Sequence, residues 1–253
     1  MRKLIFLIVI TMIIASCDYT LGVQFDPKIV DSLVSNKEKY IRYEREKLRF
    51  NDSSKFYDGL DTELPESDFF DSIYRNSYFP LKAIDSNKYK LIKVFNWPDK
   101  DIYSWVYAVG FRQSGKQSLL GKTLLKKPIK NINGTLIDSN YIKDKHVFVK
   151  CWFIKCVPCL AEMPDLNVIV QKYRNRKDIL FISFAFNKTE DLKIFLSDRK
   201  FEYMVIPTYK IPEIDSFHFT SFPTHLYVKN NKIEKVIGKG DIVSIIEKFD
   251  KGR

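Results

Sequence analysis

Two largely apolar runs, at 147–153 and 179–185, are the clearest secondary-structure signals in this chain. Short apolar runs of this kind are typical of strands that are buried on both faces of a sheet. Between them, apolar residues recur at helical spacing from Cys159 to about Arg174, which predicts a helix. Pro164 falls inside this helix and is expected to kink it, because proline lacks the N–H that a helix interior needs.

The rest of the C-terminal half continues this alternation. An Asn-Gly turn at residues 133–134 predicts a hairpin before the first buried strand. Further elements are predicted as follows: a helix from Glu190 to about Asp198, a short extended segment from Phe201 to Ile206, a hairpin of 225–229 and 232–237 across Asn230-Asn231, and a last helix that starts at Gly240-Asp241.

The N-terminal half has a weaker pattern. Apolar residues among many charges predict an amphipathic helix from Asp26 to about Arg49. Residues 89–97 and 102–111 read as strands, and Pro98-Asp99-Lys100-Asp101 between them predicts a hairpin turn. The polar segment 113–117 predicts a boundary, after which the pattern becomes regular.

These patterns divide the chain into four parts. A leader at 1–16 and a tether at 17–27 precede an accessory region at 28–117, in which no catalytic motif is found. A catalytic unit is predicted at 118–250. The length suits about one and a half to two domains.

The leader has the features of an export signal. Met1-Arg2-Lys3 is basic, and Leu4–Ile14 is apolar but too short to span a bilayer comfortably. Small residues at 15–16 precede Cys17, which resembles the lipobox of bacterial lipoproteins. The resemblance implies acylation of Cys17 and anchoring to the bilayer in the cell envelope, facing the periplasm, with the leaflet left open. The alternative is an ordinary signal peptide followed by a chance cysteine.

The chain is basic, with 42 Lys and Arg against 31 Asp and Glu and a formal charge of +11. The basic residues are spread along the chain, and no Arg-rich block with interleaved aromatics indicates nucleic-acid binding. The charge reflects a Lys-rich composition or a mild attraction to anionic lipid or acidic partners.

Cysteine usage points to chemistry rather than to a disulfide scaffold. Cys151, Cys156 and Cys159 cluster within nine residues, whereas a secreted scaffold spreads an even number along the chain. Cys151 belongs to the first apolar run and is expected to be a buried, inert thiol. Cys156 and Cys159 form a C-x-x-C between a strand and a helix start, typical of a redox pair. A structural disulfide or half of a zinc site is the alternative, but the three histidines have no ligand spacing.

Four short motifs follow one another in the C-terminal half. They are Cys156-Val157-Pro158-Cys159, Glu162-Met163-Pro164, Ser221-Phe222-Pro223-Thr224 and Asn230-Asn231-Lys232. In this order, over about residues 118–250, they resemble the thioredoxin fold and, within it, the membrane-tethered thiol-disulfide oxidoreductases of the cytochrome-maturation type. The resemblance implies an α/β fold with a central mixed sheet flanked by helices.

The chemistry of the C-x-x-C follows from its place at a helix start. The free N–H groups there, and the adjacent charge of Lys155, are expected to lower the pKa of Cys156 and make it the nucleophile. Cys159 lies one turn further on and is expected to be more buried and to resolve the mixed disulfide. Pro158 is tolerated because the first helical turn does not use its missing N–H.

Other site residues are implied by the resemblance. Glu162 matches a glutamate near the cysteine pair and is expected to have a raised pKa and to move the proton of Cys159; a solvated first-turn Glu is the alternative. Pro223 matches the cis-proline of the family, and Phe222 and Thr224 are expected to line the contact with an extended substrate peptide.

Two residues depart from the family pattern. Lys155 stands where Trp is usual, and Lys150 occupies the buried acidic or amide position on the preceding strand. Three fates are open to Lys150: it is neutral, it pairs with Glu162, or it extends outward to solvent. Both lysines are expected to tune the pKa values of the site and therefore its reduction potential.

The resemblance implies a lipid-anchored periplasmic reductant of protein disulfides that receives electrons from a membrane dithiol carrier. It implies no nicotinamide, flavin or metal, because the Cys156–Cys159 disulfide is itself the redox group. Three alternatives stay open: a copper-delivery module that uses both cysteines with His225, a thiol peroxidase, and a structural lipoprotein with an inactive site. A peroxidase is disfavoured because no Thr or Ser lies just before Cys156.

Overall fold

The computed structural model describes residues 24–237 and 242–251. The predicted leader, the lipidation residue Cys17 and the predicted helix start at Gly240-Asp241 lie outside the described residues. None of the helices in the described ranges combines the length and the apolar character needed to span a membrane.

The predicted helix at residues 26–49 is two helices, α1 (Lys28–Val34) and α2 (Lys37–Lys47). The break falls at Asn36, whose backbone is extended and whose side-chain oxygen accepts a hydrogen bond from the Lys39 N–H at 3.0 Å. Asparagine is among the most favourable N-cap residues, so it starts a new helix here instead of continuing the first.

The accessory region contains a small sheet. Its strands are β1 (Lys55–Tyr57), β2 (Glu63–Leu64), β3 (Tyr78–Lys82) and β4 (Lys88–Lys93), in the order β2-β1-β4-β3. Helix α3 (Glu66–Asn76) connects β2 to β3. The strand predicted at 89–97 is therefore confirmed in its first half.

The second predicted strand, at 102–111, is wrong, and so is the hairpin before it. These residues belong to a long helix, α4 (Lys100–Gln117). Asp99 is its N-cap, since its carboxylate accepts from the N–H groups of Asp101 and Ile102 at 2.8 and 3.1 Å. The β-branched and aromatic composition suggested a strand, yet the buried positions Ile102, Val106, Val109 and Gly110 have helical spacing.

Aromatic packing forms the core of the accessory region. Phe56, Phe69 and Phe70 pack with ring centroids 4.8–5.5 Å apart. Helices α3 and α4 approach closely at Gly110, where a β-carbon would lie 2.8 Å from Ile73. The absence of a side chain at this one position lets the two helices bury their apolar faces together.

The C-terminal part is built on a second sheet. Its strands are β7 (His146–Trp152), β8 (Ile179–Ala185), β9 (Met204–Pro207), β10 (Thr224–Lys229) and β11 (Lys232–Ile237), in the order β11-β10-β7-β8-β9. β7, β8 and β9 run parallel, and β10 is antiparallel to both β7 and β11. Before it, β5 (Ile129–Lys130) and β6 (Leu136–Ile137) pair across the predicted Asn-Gly turn.

Helices cover both faces of this sheet. They are α5 (Val157–Ala161), α6 (Met163–Tyr173), α7 (Thr189–Ser197), α8 (Pro212–Asp215) and α9 (Ile242–Lys251). The expected thioredoxin-like α/β fold, a mixed sheet flanked by helices, is confirmed. The predicted kink at Pro164 is a complete break, because α5 ends at Ala161 and α6 begins at Met163.

Strand alternation separates the residues of β7 into two cores. Phe148 and Trp152 belong to the clusters under α5 and α6, whereas Val147, Val149 and Cys151 belong to the cluster on the opposite face. Cys151 is a free thiol with no exposed surface, and burial raises its pKa above the ordinary value. The expectation of a buried thiol at this position is confirmed.

The close approach of α3 and α4 predicts the effect of Gly110→Ala. The added methyl group would overlap Ile73, and overpacking of this kind outweighs the gain in helix propensity. We expect the free energy of unfolding to fall by about 1–2 kcal/mol in urea titrations. Gly59→Ala is the control, since its methyl would meet only the Leu91 carbonyl at 3.6 Å. Equal stability of Gly110→Ala and wild type would contradict the packing described.

Candidate active site

A disulfide joins Cys156 and Cys159 at the end of β7. Their α-carbons are 5.2 Å apart, and Cys156 is the residue that precedes helix α5. The Cys156 carbonyl accepts the first hydrogen bond of the helix, from the Leu160 N–H at 3.1 Å. Cys156 retains 4% of its surface exposed and Cys159 none, so Cys156 is the accessible member of the pair.

The break between α5 and α6 gives Glu162 its position. Glu162 is the residue between the two helices, and Pro164 occupies the first turn of α6, where no N–H is required. The Glu162 carbonyl accepts from the Leu166 N–H at 3.1 Å. Its side chain is mostly buried, with 14% of its surface exposed, and points to the sheet.

Three ionisable side chains meet under this helix break. The Glu162 Oε1 atom accepts a hydrogen bond from Lys150 Nζ and lies 2.9 Å from His225 Nε2. Lys150 and His225 are directly opposite each other on β7 and β10, and neither has exposed surface. Of the three fates considered for Lys150, pairing with Glu162 is the one observed.

The pKa of Glu162 is lowered, which corrects the expectation of a raised value. Burial alone would raise it, but the hydrogen bond from His225 and then the charge and hydrogen bond of Lys150 outweigh burial. For the two basic groups, burial acts in the opposite direction: it lowers the pKa of Lys150 and of His225, and Glu162 only partly offsets this effect. Glu162 is therefore an ionised carboxylate held inside the protein.

The imidazole of His225 has two different nitrogen environments. A carboxylate oxygen can only accept, so Nε2 carries the hydrogen that is donated to Glu162. Within the described part of the chain, Nδ1 is buried and has no hydrogen-bond partner. In the neutral ring this second nitrogen is an unprotonated base.

The loop before β10 faces the disulfide. The Phe222–Pro223 peptide bond is cis, as the resemblance implied. Phe222 packs edge-on against Phe153, with ring centroids 5.3 Å apart, and so contacts the segment that leads into Cys156. Thr224 is placed differently from the expectation: it is 3% exposed, and its hydroxyl donates to the Ser221 carbonyl at 2.6 Å. Its side chain therefore closes the loop instead of lining a surface.

A concave pocket of about 590 Å³ opens beside Cys156. The Asn187 side-chain oxygen accepts from the Ile154 N–H at 2.9 Å and so fixes the chain just before the cysteine. Lys155 is exposed at this pocket. The pocket is lined by three loop segments and the first turn of α7, which contribute Phe153, Ile154, Lys155, Phe186, Asn187, Asp191 and Phe222.

Comparison with known proteins places this site in a family. No family model matches the chain. The thiol-disulfide oxidoreductase ResA of Bacillus cereus is 30% identical over 135 residues, which cover 51% of this chain and 76% of that protein. The chain belongs to the ResA family of thiol-disulfide oxidoreductases. ResA of Bacillus anthracis is 26% identical over 133 residues, with the same coverage.

Solved structures that are similar to this protein each cover about half of the chain. The thioredoxin domain of a thiol-disulfide oxidoreductase from Bacteroides vulgatus is 21% identical, with a TM-score of 0.44, and covers 51% of this chain and 96% of that domain. A thioredoxin-family thiol:disulfide interchange protein from Chlorobium tepidum is 18% identical, with a TM-score of 0.43, and covers 51% and 95%.

Sequence reasoning identified the residues of this ResA-family site that lie in motifs and missed those that come together through the fold. Phe186, Asn187 and Asp191 carry no motif. His225 was considered only as a metal ligand, and its Nε2 is directed to Glu162 instead. The available signal was strand alternation, because His225 follows Pro223 by two residues and faces the same side of the sheet as Lys150.

The buried His225 predicts a pH dependence of stability. Its pKa is lower in the folded protein than the unfolded value of about 6.5, so the unfolded chain binds a proton that the folded protein does not. The stability associated with His225 is therefore present above about pH 6.5 and is lost as the pH falls below it. We expect the free energy of unfolding to decrease between about pH 7 and 5, and His225→Gln to flatten this slope.

The measurement is a series of urea titrations across that pH range. His218→Gln is the matched control, because the His218 side chain is exposed and the variant should keep the wild-type slope. An unchanged slope in His225→Gln would show that the histidine does not titrate as its burial requires.

Proposed function

We propose that this ResA-family protein is a periplasmic, lipid-anchored reductant of protein disulfides that acts through Cys156 and Cys159. The observation that carries the proposal is the placement of the disulfide. It lies at the end of β7, with the cis-proline loop packed on the segment before it and the pocket beside the more exposed cysteine. An extended peptide of a substrate protein can approach Cys156 when the pair is placed in this way.

The reaction proceeds by two exchanges between sulfur atoms. In the reduced protein, the Cys156 thiolate attacks one sulfur of the substrate disulfide, a mixed disulfide forms, and the other substrate sulfur leaves as a thiolate that takes up a proton. Cys159 then loses its proton and attacks Cys156. The internal disulfide forms, the second substrate sulfur leaves, and two electrons have passed to the substrate.

Two features favour the thiolate of Cys156. It precedes a helix start, where free N–H groups point towards negative charge. The ammonium group of Lys155 is the neighbour on its other side. The thiolate is the reactive form of cysteine, so both features promote the first exchange.

Glu162 is the proposed acceptor for the proton that Cys159 releases. The carboxylate is ionised and can therefore accept a proton, but its lowered pKa makes it a weaker base than an ordinary glutamate. Lys150 tunes it by holding this charge inside the protein, and both hydrogen bonds that the described residues make to the carboxylate fall on Oε1. His225 lies on the same oxygen and offers the unprotonated Nδ1 as a second base.

The substrate peptide binds along the cis-proline loop. The carbonyl of Pro223 is available to pair with an extended chain, and Phe222 offers an apolar surface at the pocket. An apolar residue beside the substrate cystine would fit against Phe153, Phe186 and Phe222, whose rings pack together. A membrane dithiol carrier restores the reduced state after each turnover.

Single cysteine substitutions test the mechanism in an insulin reduction assay. We expect Cys156→Ser to abolish turnover because the nucleophile is lost. Cys159→Ser should also stop turnover but accumulate a mixed disulfide that is visible on non-reducing gels, since nothing resolves it. Cys151→Ala is the matched control and should retain wild-type turnover, because this thiol lies on the opposite face of the sheet.

Turnover by Cys156→Ser, or none by wild type, would overturn the proposal. The direction of electron flow is decided by the reduction potential of the Cys156–Cys159 pair, measured against glutathione. A reductant requires a value near that of thioredoxin, about −270 mV, and an oxidant one near about −120 mV.

The anchor is tested by metabolic labelling in a bacterial host. Radiolabelled palmitate should enter the wild-type protein, which should sediment with membranes. Cys17→Ala should take up no label and leave the membrane fraction. Cys151→Ala provides the control for loss of an unrelated cysteine, and equal labelling of Cys17→Ala and wild type would sink the lipidation proposal.

A further inference from the structure

Helix α4 of the accessory region contacts the loop that carries the cis-proline. Thr220, three residues before Pro223, donates its hydroxyl hydrogen to the Arg112 carbonyl of α4 at 3.5 Å. One turn further along the helix, Gly115 lies against the same side chain. A β-carbon on Gly115 would lie 2.5 Å from Thr220 Cγ2, 2.7 Å from its Oγ1 and 3.2 Å from its Cβ.

No side-chain rotation of Thr220 removes this overlap. Threonine has two heavy branches in three staggered positions, and both face Gly115. Rotation about χ1 leaves at least one branch in the gap. Any residue larger than glycine at position 115 must therefore push Thr220, and the backbone that carries it, away from the helix.

The position of Gly115 is set by the accessory region. The adjacent residue Ser114 donates a hydrogen bond to Asp71 of α3 at 2.5 Å. Further back along α4, Gly110 packs against Ile73, also on α3. The end of α4 therefore contacts α3 of the accessory core at two consecutive turns. The core thereby fixes the surface of α4 that the cis-proline loop contacts.

The loop transmits its position to the proposed substrate site. Phe219, next to Thr220, packs edge-on against Phe186 at 5.7 Å, and Phe222 packs against Phe186 at 5.3 Å. Phe186 and Phe222 both line the pocket beside Cys156. A displacement of Thr220 therefore reaches the pocket and the cis-proline through adjacent residues of one loop.

We propose that the accessory region braces the cis-proline loop through α4, and that Gly115 and Thr220 are positioning residues for the reduction of protein disulfides. This inference rests on the proposed function of the site. It gives residues 28–117 a role: they hold the substrate-binding loop in place while the cysteine pair carries out the chemistry. A small disulfide that needs no loop contact should not depend on the brace.

A set of full-length variants tests the brace. Gly115→Ala should lower kcat/KM for insulin reduction about tenfold, because small misplacements of binding groups cost rate. Its reaction with the small disulfide 5,5′-dithiobis(2-nitrobenzoate), and its reduction potential, should stay at wild-type values. Adding Thr220→Ala to Gly115→Ala removes the two overlapping atoms but also the hydroxyl that donates to the Arg112 carbonyl, so it should restore part of the lost rate. Gly59→Ala is the control and should match wild type on both disulfides.

Three results would overturn the proposal: wild-type insulin reduction by Gly115→Ala, an equal loss with the small disulfide, or no restoration by Thr220→Ala. Hydrogen exchange gives a readout that does not depend on activity. Amides at 216–222 should exchange faster in Gly115→Ala and slow again towards wild-type rates in the double variant. If wild type fails to reduce insulin, the proposed function fails, and unchanged exchange in Gly115→Ala would separately reject the brace.

Discussion

The C-terminal part of the protein depends on the contact of the Glu162 carboxylate with Lys150 and His225. A lysine without exposed surface is costly to bury unless an opposite charge meets it, so the fold must bring one there. The break between α5 and α6 turns Glu162 inward. The observed register of β7 and β10 places Lys150 and His225 opposite each other. A change in the helix break or in the strand register would therefore leave the charge of Lys150 buried without its partner.

Much of the fold could be predicted from local patterns, and the errors have physical causes. The buried strands β7 and β8 are largely apolar runs, and no competing signal obscures them. Residues 102–111 were misread because their aromatic and β-branched residues favour strands in isolation. Tertiary packing of a helical face against α3 overrides that preference. Asp99 was read as part of a turn, but aspartate also caps helices, and the sequence alone did not distinguish the two roles.

The site was predictable only where chemistry resides in a motif. The C-x-x-C and the cis-proline are contiguous in sequence and were found. The pKa of Glu162 was expected to rise because burial against the thiols was given more weight than pairing with Lys150. The charge that reverses it comes from Lys150, twelve residues earlier, and the hydrogen bond from His225, sixty-three residues later. Such influences require a knowledge of strand register, as the pocket requires a knowledge of which loops converge.

The opposite orientation of Cys151 has a consequence for the fidelity of the redox cycle. Three thiols within nine residues would allow three alternative pairings in a flexible peptide. Alternation along β7 turns Cys151 into a different core from Cys156 and Cys159, with the sheet between them. Among these three cysteines, therefore, the Cys156–Cys159 bond is the one disulfide that the fold allows. A thiol-disulfide oxidoreductase needs that property. A disulfide that moved to Cys151 would be buried, and neither an electron donor nor a substrate could reach it.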